Sequence, residues 1–292
     1  MFFTKRIFRV FESLVYKSLS LFSKIKNKRF IQSINSAQYK NQFDRQYLLS
    51  NNSEIKYLLK SGDDIAKYLY INNSWNFHVL KKACKLLKKK RSISNLINIG
   101  AHVGSTCIPA VKSKLFNQAI AFEPFPTNFK LLTTNIFLNS LEDKITTHNI
   151  ALSDKKKKLF IKQFGVNSGD CRILNKKAKN SHEINCHLLD QYTKSYNKGN
   201  SIIFMYAQGH EPEIFLGARK TILKKIPIIT EFMPSLFNTK WIKKMSYLIK
   251  NYKYFYDLKK NERKKNFSIQ ELENLKDEYI VNNNYTDILI FN

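Results

Sequence analysis

The chain has 292 residues, 43% of them hydrophobic, which is enough for one full-sized core with an extension and too little for two large domains. Fifty basic residues against 22 acidic ones leave a formal charge of +28; this favours polyanionic partners without naming one, and solvated lysines in a Lys-, Asn- and Ile-rich chain are the plain alternative. Cys84, Cys107, Cys171 and Cys186 show no Cys-x-x-Cys spacing, so a disulfide scaffold and a structural zinc site are not expected and a reducing, cytoplasmic setting is.

Phe3, Ile7, Phe11, Leu14, Val15, Leu19, Phe22 and Ile25 fall at helical spacing, with Lys5, Arg9, Lys17 and Lys24 largely off that stripe. This predicts a basic amphipathic helix, either packed on the protein or in peripheral contact with an anionic membrane through residues 1–30. Glu12 interrupts any secretory-type apolar run, and no transmembrane span is expected. Two or three further helices are predicted between Asn51 and Arg91, including Asp63 to Tyr70 and Phe77 to Lys90, the last closing on Lys88-Lys89-Lys90-Arg91.

From residue 95 the pattern alternates: strand 95–99, helix 105–115, strand 118–123, helix 127–139 and strand 145–150. That is βαβαβ, half of a doubly wound sheet. A hairpin insertion over Leu159 to Asp170 comes next, then strand 201–206, helix 212–224, strand 227–232, helix 239–250, strand 252–257 and a last strand at Asp287 to Phe291. The expected division is an N-terminal helical extension over 1–90 and a sheet domain over 91–292.

The first strand of that sheet runs into Asn98-x-Gly100-x-His102-x-Gly104, and Glu123 ends the second. In such sheets a ligand lies beyond the carboxyl ends of the strands, where glycines let backbone approach it and an acid on the neighbouring strand takes ribose hydroxyls. A nucleoside-binding crevice is therefore expected. His182, Cys186 and His187 cluster without a ligand motif, so no metal site is expected there.

Four ordered segments, INIGAHVG, AFEPFPTNFKLLTTNIFLN (121–139), IALSD (150–154) and QGHEPEIFLGARKTIL (208–223), resemble the FkbM-type S-adenosylmethionine-dependent methyltransferases of the class I fold, and the closing TDILIF resembles their last strand. The likeness covers roughly residues 70 to 292. It implies a doubly wound, mostly parallel, seven-stranded Rossmann-like sheet with an antiparallel hairpin edge, and S-adenosyl-L-methionine as cofactor. Carried over residue by residue, Asn98, Gly100, Ala101, His102 and Gly104 line the methionine and ribose side and Glu123 takes the ribose hydroxyls. Asn149, Ile150 and Ala151 lie near the adenine, and Pro124 and Asn128 support the loop carrying Glu123. Asn135 and Asn139 read as caps or exposed helix positions.

The acceptor side is Tyr206-Ala207-Gln208-Gly209-His210-Glu211, with Tyr206 and Gln208 as substrate-binding residues and His210 or Glu211 as the base; the plain alternative is that His210 and Glu211 satisfy the next helix N-terminus. Three positions depart from the pattern: an acid is usual at Asn98, a glycine at His102 and an aspartate at Tyr206. Tyrosine does not reproduce a carboxylate at neutral pH, which argues against a metal-dependent mechanism. The resemblance implies O-methylation of a sugar, polysaccharide or specialised-metabolite hydroxyl. A non-catalytic, degenerate donor-binding module is the alternative, with RNA methylation behind it because no Asp/Asn-Pro-Pro-Tyr/Phe segment follows the fourth strand. Contact with nucleic acid is not expected, and the oligomeric state is left open.

Overall fold

The structure is a computed structural model that describes residues 28–40, 46–51, 54–87, 93–260, 264–281 and 285–292. The amphipathic helix expected over residues 2–25 and the Lys88–Arg91 run lie outside the described residues. No helix among the described residues is long and apolar enough to cross a membrane.

Eight strands form the main sheet: β3 (Asn95–Ile99), β4 (Gln118–Phe122), β5 (Ile145–His148), β10 (Ser201–Met205), β11 (Ile228–Phe232), β12 (Tyr254–Asp257), β13 (Lys265–Asn266) and β14 (Thr286–Phe291). Their spatial order is β13-β12-β14-β11-β10-β3-β4-β5. β11, β10, β3, β4 and β5 are parallel neighbours, whereas β14 runs antiparallel between β11 and β12. The two-residue β13 extends the expected seven strands by one short edge piece.

All five residues of β3 and of β10 are buried. A strand covered on both faces carries apolar side chains at successive positions, and these do. Leu96 and Phe204 face one core, packed with α2 (Asp64–Asn72), α3 (Phe77–Leu87), α4 (Cys107–Lys112) and α5 (Pro126–Leu138). Ile97, Ile99, Ile203 and Met205 face the other, with α6 (Glu211–Leu216), α8 (Thr239–Asn251) and α9 (Ile269–Ile280).

Three differences from the sequence reading have physical causes. Residues 47–60, which run into the stretch from Asn51 read as helical, contain an antiparallel hairpin of β1 (Tyr47–Asn51) and β2 (Lys56–Lys60), after α1 (Lys28–Lys40). The helix expected over 212–224 breaks after Leu216, and α7 (Arg219–Leu223) starts afresh. Gly217 sits at that break, and a Cβ there would run into the Ser153 carbonyl. The hairpin insertion is formed by β7 (Lys157–Gln163) and β8 (Cys171–Leu174). It joins β6 (Ala151–Leu152) and β9 (His182–His187) in a separate sheet packed on Phe125 through Leu159, Ile161, Ile184 and Cys186. Finally, α9 is a helix the sequence reading lacked, although Ser268-Ile-Gln-Glu271 begins it as a cap, with the Ser268 hydroxyl accepting from the Glu271 N–H at 3.3 Å.

Asn135 and Asn139 are not exposed: Asn135 is buried within α5, Asn139 is its buried C-cap one helical turn on, and their side chains serve as a strand would. Asn135 Oδ1 accepts from Leu58 N at 2.6 Å and its Nδ2 donates to Leu58 O and Val103 O, while Asn139 makes the same pair with Lys56. Thereby the inner edge of β2 is satisfied by side chains. Asn135→Leu is expected to destabilise the protein by about 2–3 kcal/mol, because the Leu58 and Val103 groups lose partners inside the core; chemical denaturation reads this as a lower midpoint.

Candidate active site

One crevice lies at the carboxyl ends of β3, β4 and β10, where the sequence placed it. Gly100, His102, Glu123, Pro124, Asn128, Ile150, Ala151, Tyr206, Gln208 and His210, all expected there, line it.

The turn after β3 is built by backbone. The Gly100 and Ala101 N–H groups both donate to Phe122 O at 2.9 Å, and Tyr206 N donates to Ile99 O at 3.0 Å, so three strand ends are tied together. Gly100 has φ +72°, and its Cα faces the Tyr206 carbonyl so closely that no Cβ fits. Gly104, φ +90°, serves packing instead: its bare Cα meets Ile108 and Leu132, and it does not line the crevice. Ala101 is likewise buried behind the turn. The helix beyond, α4, spans only six residues, and Thr106 at its start donates through Oγ1 to Trp75 O at 3.2 Å, holding Trp75 at the crevice.

Glu123 ends β4 fully buried. Its Oε2 accepts from His102 N at 2.8 Å and its Oε1 from Phe125 N at 2.9 Å, and a carboxylate with these partners keeps acceptor capacity for a donor in the crevice. Burial pushes its carboxyl up to about 7, against the downward pull of those two amides and of the Asn128 side chain. Asn149 is exposed and does not line the crevice; its Nδ2 donates to Glu123 O at 2.8 Å and Pro124 O at 3.3 Å, fixing the backbone that carries the acid.

His102 takes φ +54°, a left-handed conformation unusual for a residue with a Cβ. Its ring is buried, which lowers its pKa to about 4 and keeps it neutral. Nε2 lies 2.6 Å from Ser168 Oγ, whereas Nδ1 is buried without a partner among the described residues. Ser168 is itself held on two sides, donating its N–H to Asp63 Oδ2 at 3.1 Å and accepting at its carbonyl from Asn128 Nδ2 at 2.9 Å. The Asn167–Asp170 loop is thus latched over the crevice by α2, α5 and the glycine turn. Asn98 lies behind the crevice, buried, with Oδ1 unpartnered and Nδ2 only 3.5 Å from Phe204 O.

On the acceptor side Gln208, φ +51°, and Tyr206 line the crevice. The Tyr206 phenol donates to Asp287 Oδ1 on β14. Asp287 stands directly across from Glu231 on β11, and burial pushes the Glu231 carboxyl up to about 8, so this neighbour holds its proton at neutral pH. His210 Nε2 lies 3.0 Å from Ser153 Oγ, which in turn donates to Asp154 Oδ1 at 3.0 Å. A hydroxyl that donates to the carboxylate must accept from the imidazole, which assigns the ring proton to Nε2 and the lone pair to Nδ1. Burial lowers the His210 pKa, so the ring is neutral.

Glu211 is a correction. It does not line the crevice but turns to the far side of the sheet, where Oε1 accepts from Ala207 N at 2.8 Å beside Phe215 and Thr230. It satisfies the turn that starts α6, the plain alternative to a catalytic role.

Asp63, Trp75, Ser168 and Asp287 are site residues the sequence reading missed. Asp63 left a signal as the N-cap of α2, its Oδ1 accepting from Ile65 N at 2.7 Å and Ala66 N at 3.3 Å. Trp75 and Ser168 line the crevice from distant parts of the chain, Asp287 meets it only through Tyr206, and none of the three leaves a signal.

The residues fit an adenosyl methyl donor: a buried acid with acceptor capacity to spare, a glycine turn beside it, and orphaned polar atoms on Asn98 and His102 at the same strand end. No curated protein matches the sequence. Among solved structures, the chain is similar to an FkbM methyltransferase from Methylobacillus flagellatus KT, with 11% identity and a TM-score of 0.45 over 77% of this chain and 52% of that one, so it spans about half that protein's length. It is also similar to M. jannaschii TYW2 in complex with AdoMet (14% identity, TM-score 0.38, 84% of each chain) and to the StiE O-MT (10%, 0.40, 72% of each). A model of the methyltransferase FkbM domain matches residues 98–276, well over half of the sequence, and the chain belongs to the FkbM methyltransferase family, whose methyl donor is S-adenosylmethionine.

Proposed function

We propose that the protein is a cytoplasmic S-adenosylmethionine-dependent O-methyltransferase acting on a hydroxyl of a sugar, polysaccharide or specialised metabolite, with residues 1–30 in peripheral membrane contact. The observation that carries this reading is the pairing of Glu123 and His210 on one crevice, the first suited to ribose hydroxyls and the second neutral with a free Nδ1 lone pair.

The bound donor supplies a methyl group already activated by its sulfonium, so the protein's work is alignment and proton removal. Glu123 and the turn from Gly100 to His102 fix the nucleoside end. Tyr206 and Gln208 face the acceptor. His210 Nδ1 accepts the hydroxyl proton, and the Ser153–Asp154 pair holds the ring in the tautomer that this requires.

Replacing His210 with glutamine is expected to lower kcat about 100-fold or more while donor affinity by calorimetry stays unchanged. Label transfer from methyl-labelled S-adenosylmethionine to methyl glycosides and polysaccharides reads the first quantity. If the native protein gives no heat with the donor, the donor half of the proposal fails. Donor binding without transfer to any hydroxylated acceptor would favour the non-catalytic module.

A further inference from the structure

The β7–β8 hairpin has one face in the core and one face without a covering element among the described residues. Leu159 and Ile161 point inward, and strand alternation puts Lys158, Phe160 and Lys162 on the outer face of β7 and Arg172 and Leu174 on that of β8. The register sets Phe160 opposite Leu174 and Lys162 opposite Arg172. Like charges directly opposite one another destabilise a sheet, and the apolar pair beside them stays only half-buried.

The tip continues the theme. Phe164 is 37% exposed and Val166 67%. Lys162 Nζ and Arg172 Cζ stand 5.5 Å and 5.4 Å from the Phe164 ring centre, so two cations flank one exposed aromatic side chain. Arg172 is also paired with Asp170, and Lys158 with Glu183, which offsets part of the repulsion. At the other end of the hairpin Lys155, Lys156, Lys176, Lys177 and Lys179 are all exposed.

We propose that this outer face is a docking surface for an anionic lipid bilayer. Phe164 and Val166 enter the interfacial layer, Lys162 and Arg172 snorkel from beside them to lipid phosphates, and the lysines at the far end meet the same charged plane. Charge complementarity calls for an anion, and the aliphatic members Val166 and Leu174 select lipid over nucleic acid, for which a row of exposed aromatic platforms would be needed. This surface runs straight into Ser168 and Gly169, which line the crevice, so the docked bilayer stands beside the crevice mouth.

The test is cosedimentation of the full chain with phosphatidylcholine vesicles with and without phosphatidylglycerol. Native protein is expected to bind only the anionic vesicles. Lys162→Gln with Arg172→Gln is expected to weaken binding roughly thirtyfold, from about 1 kcal/mol for each of two cations, and Phe164→Ser with Val166→Ser also to weaken it. Titration with S-adenosylmethionine shows whether these variants keep the native fold, and Phe164→Trp, which removes no charge, is expected to give a blue-shifted emission on anionic vesicles alone. The proposal is overturned if native protein binds no vesicles, or if both double variants bind as the native chain does, which would leave residues 1–30 as the contact. It is overturned equally if RNA displaces the vesicles and the apolar substitutions have no effect, which would mark a general polyanion site.

Discussion

Gly100→Ala is expected to lower stability by about 4 kcal/mol or more, at the upper end of what single substitutions do. Two effects add. At φ +72° a Cβ meets the left-handed backbone penalty, about 1–2 kcal/mol. The same Cβ would also be driven into the Tyr206 carbonyl, a backbone atom on the adjacent strand that has no rotamer to change. Relief requires β3 and β10 to separate where Tyr206 N bonds Ile99 O, and that bond is one of those closing the crevice floor. Thermal denaturation should show a fall on the order of 10 °C or more for a chain of this size. Any folded residue of the variant is expected to bind donor poorly, because the turn carrying His102 and its contact to Glu123 moves with Gly100. A midpoint within a degree or two of native would mean that the two strand ends are not held as closely as described.

His102 tests the same turn from the opposite side. It already stands at φ +54°, so His102→Gly relieves backbone strain but removes the side chain that meets Ser168. The native residue spends conformational stability on a connection between the glycine turn and the loop over the crevice, which is why a position where the class I pattern has glycine reads as atypical in sequence.

Legibility in the sequence followed the range of the interaction. β3, β4, α5 and β5 were readable because each announces itself locally, by an apolar run, a proline at a helix start or a strand-ending acid. The β1–β2 hairpin was not, since Leu48-Leu49 and Leu58-Leu59 are short apolar runs that fit a helix or a strand equally well. What decides them is Asn135 and Asn139, some 80 residues away, offering side-chain amides to the β2 edge. The crevice divides in the same way. Gly100, Glu123 and His210 belong to the strand-end motifs and line the crevice, whereas Ser168 and Asp287 arrive across 66 and 81 residues from their partners His102 and Tyr206. Glu211 shows the converse: its neighbours in sequence suggest a site, yet one backbone amide, Ala207 N, turns its carboxylate away.

Glu123 should make donor binding depend on pH in a defined direction. Burial raises its carboxyl to about 7, and ribose hydroxyls that donate to it favour the charged form, so bound donor lowers that value. Affinity is then full above pH 7 and lost as pH falls through it. Between about pH 8 and pH 6 the ionised fraction drops roughly tenfold, and the apparent Kd for S-adenosylmethionine should rise by the same factor. Near neutral pH binding should also release a fraction of a proton, visible as a dependence of the measured heat on the ionisation enthalpy of the buffer. Glu123→Gln keeps the shape, cannot ionise and can no longer accept at both crevice-facing atoms, so it is expected to bind about tenfold or more weakly, with no pH step and no proton release. Glu123→Ala additionally frees the His102 and Phe125 amides and should cost stability as well as affinity. Were the glutamine variant to keep the native pH profile, the proton would belong to another group, and Glu123 would be a structural anchor for the turn rather than the residue that holds the donor.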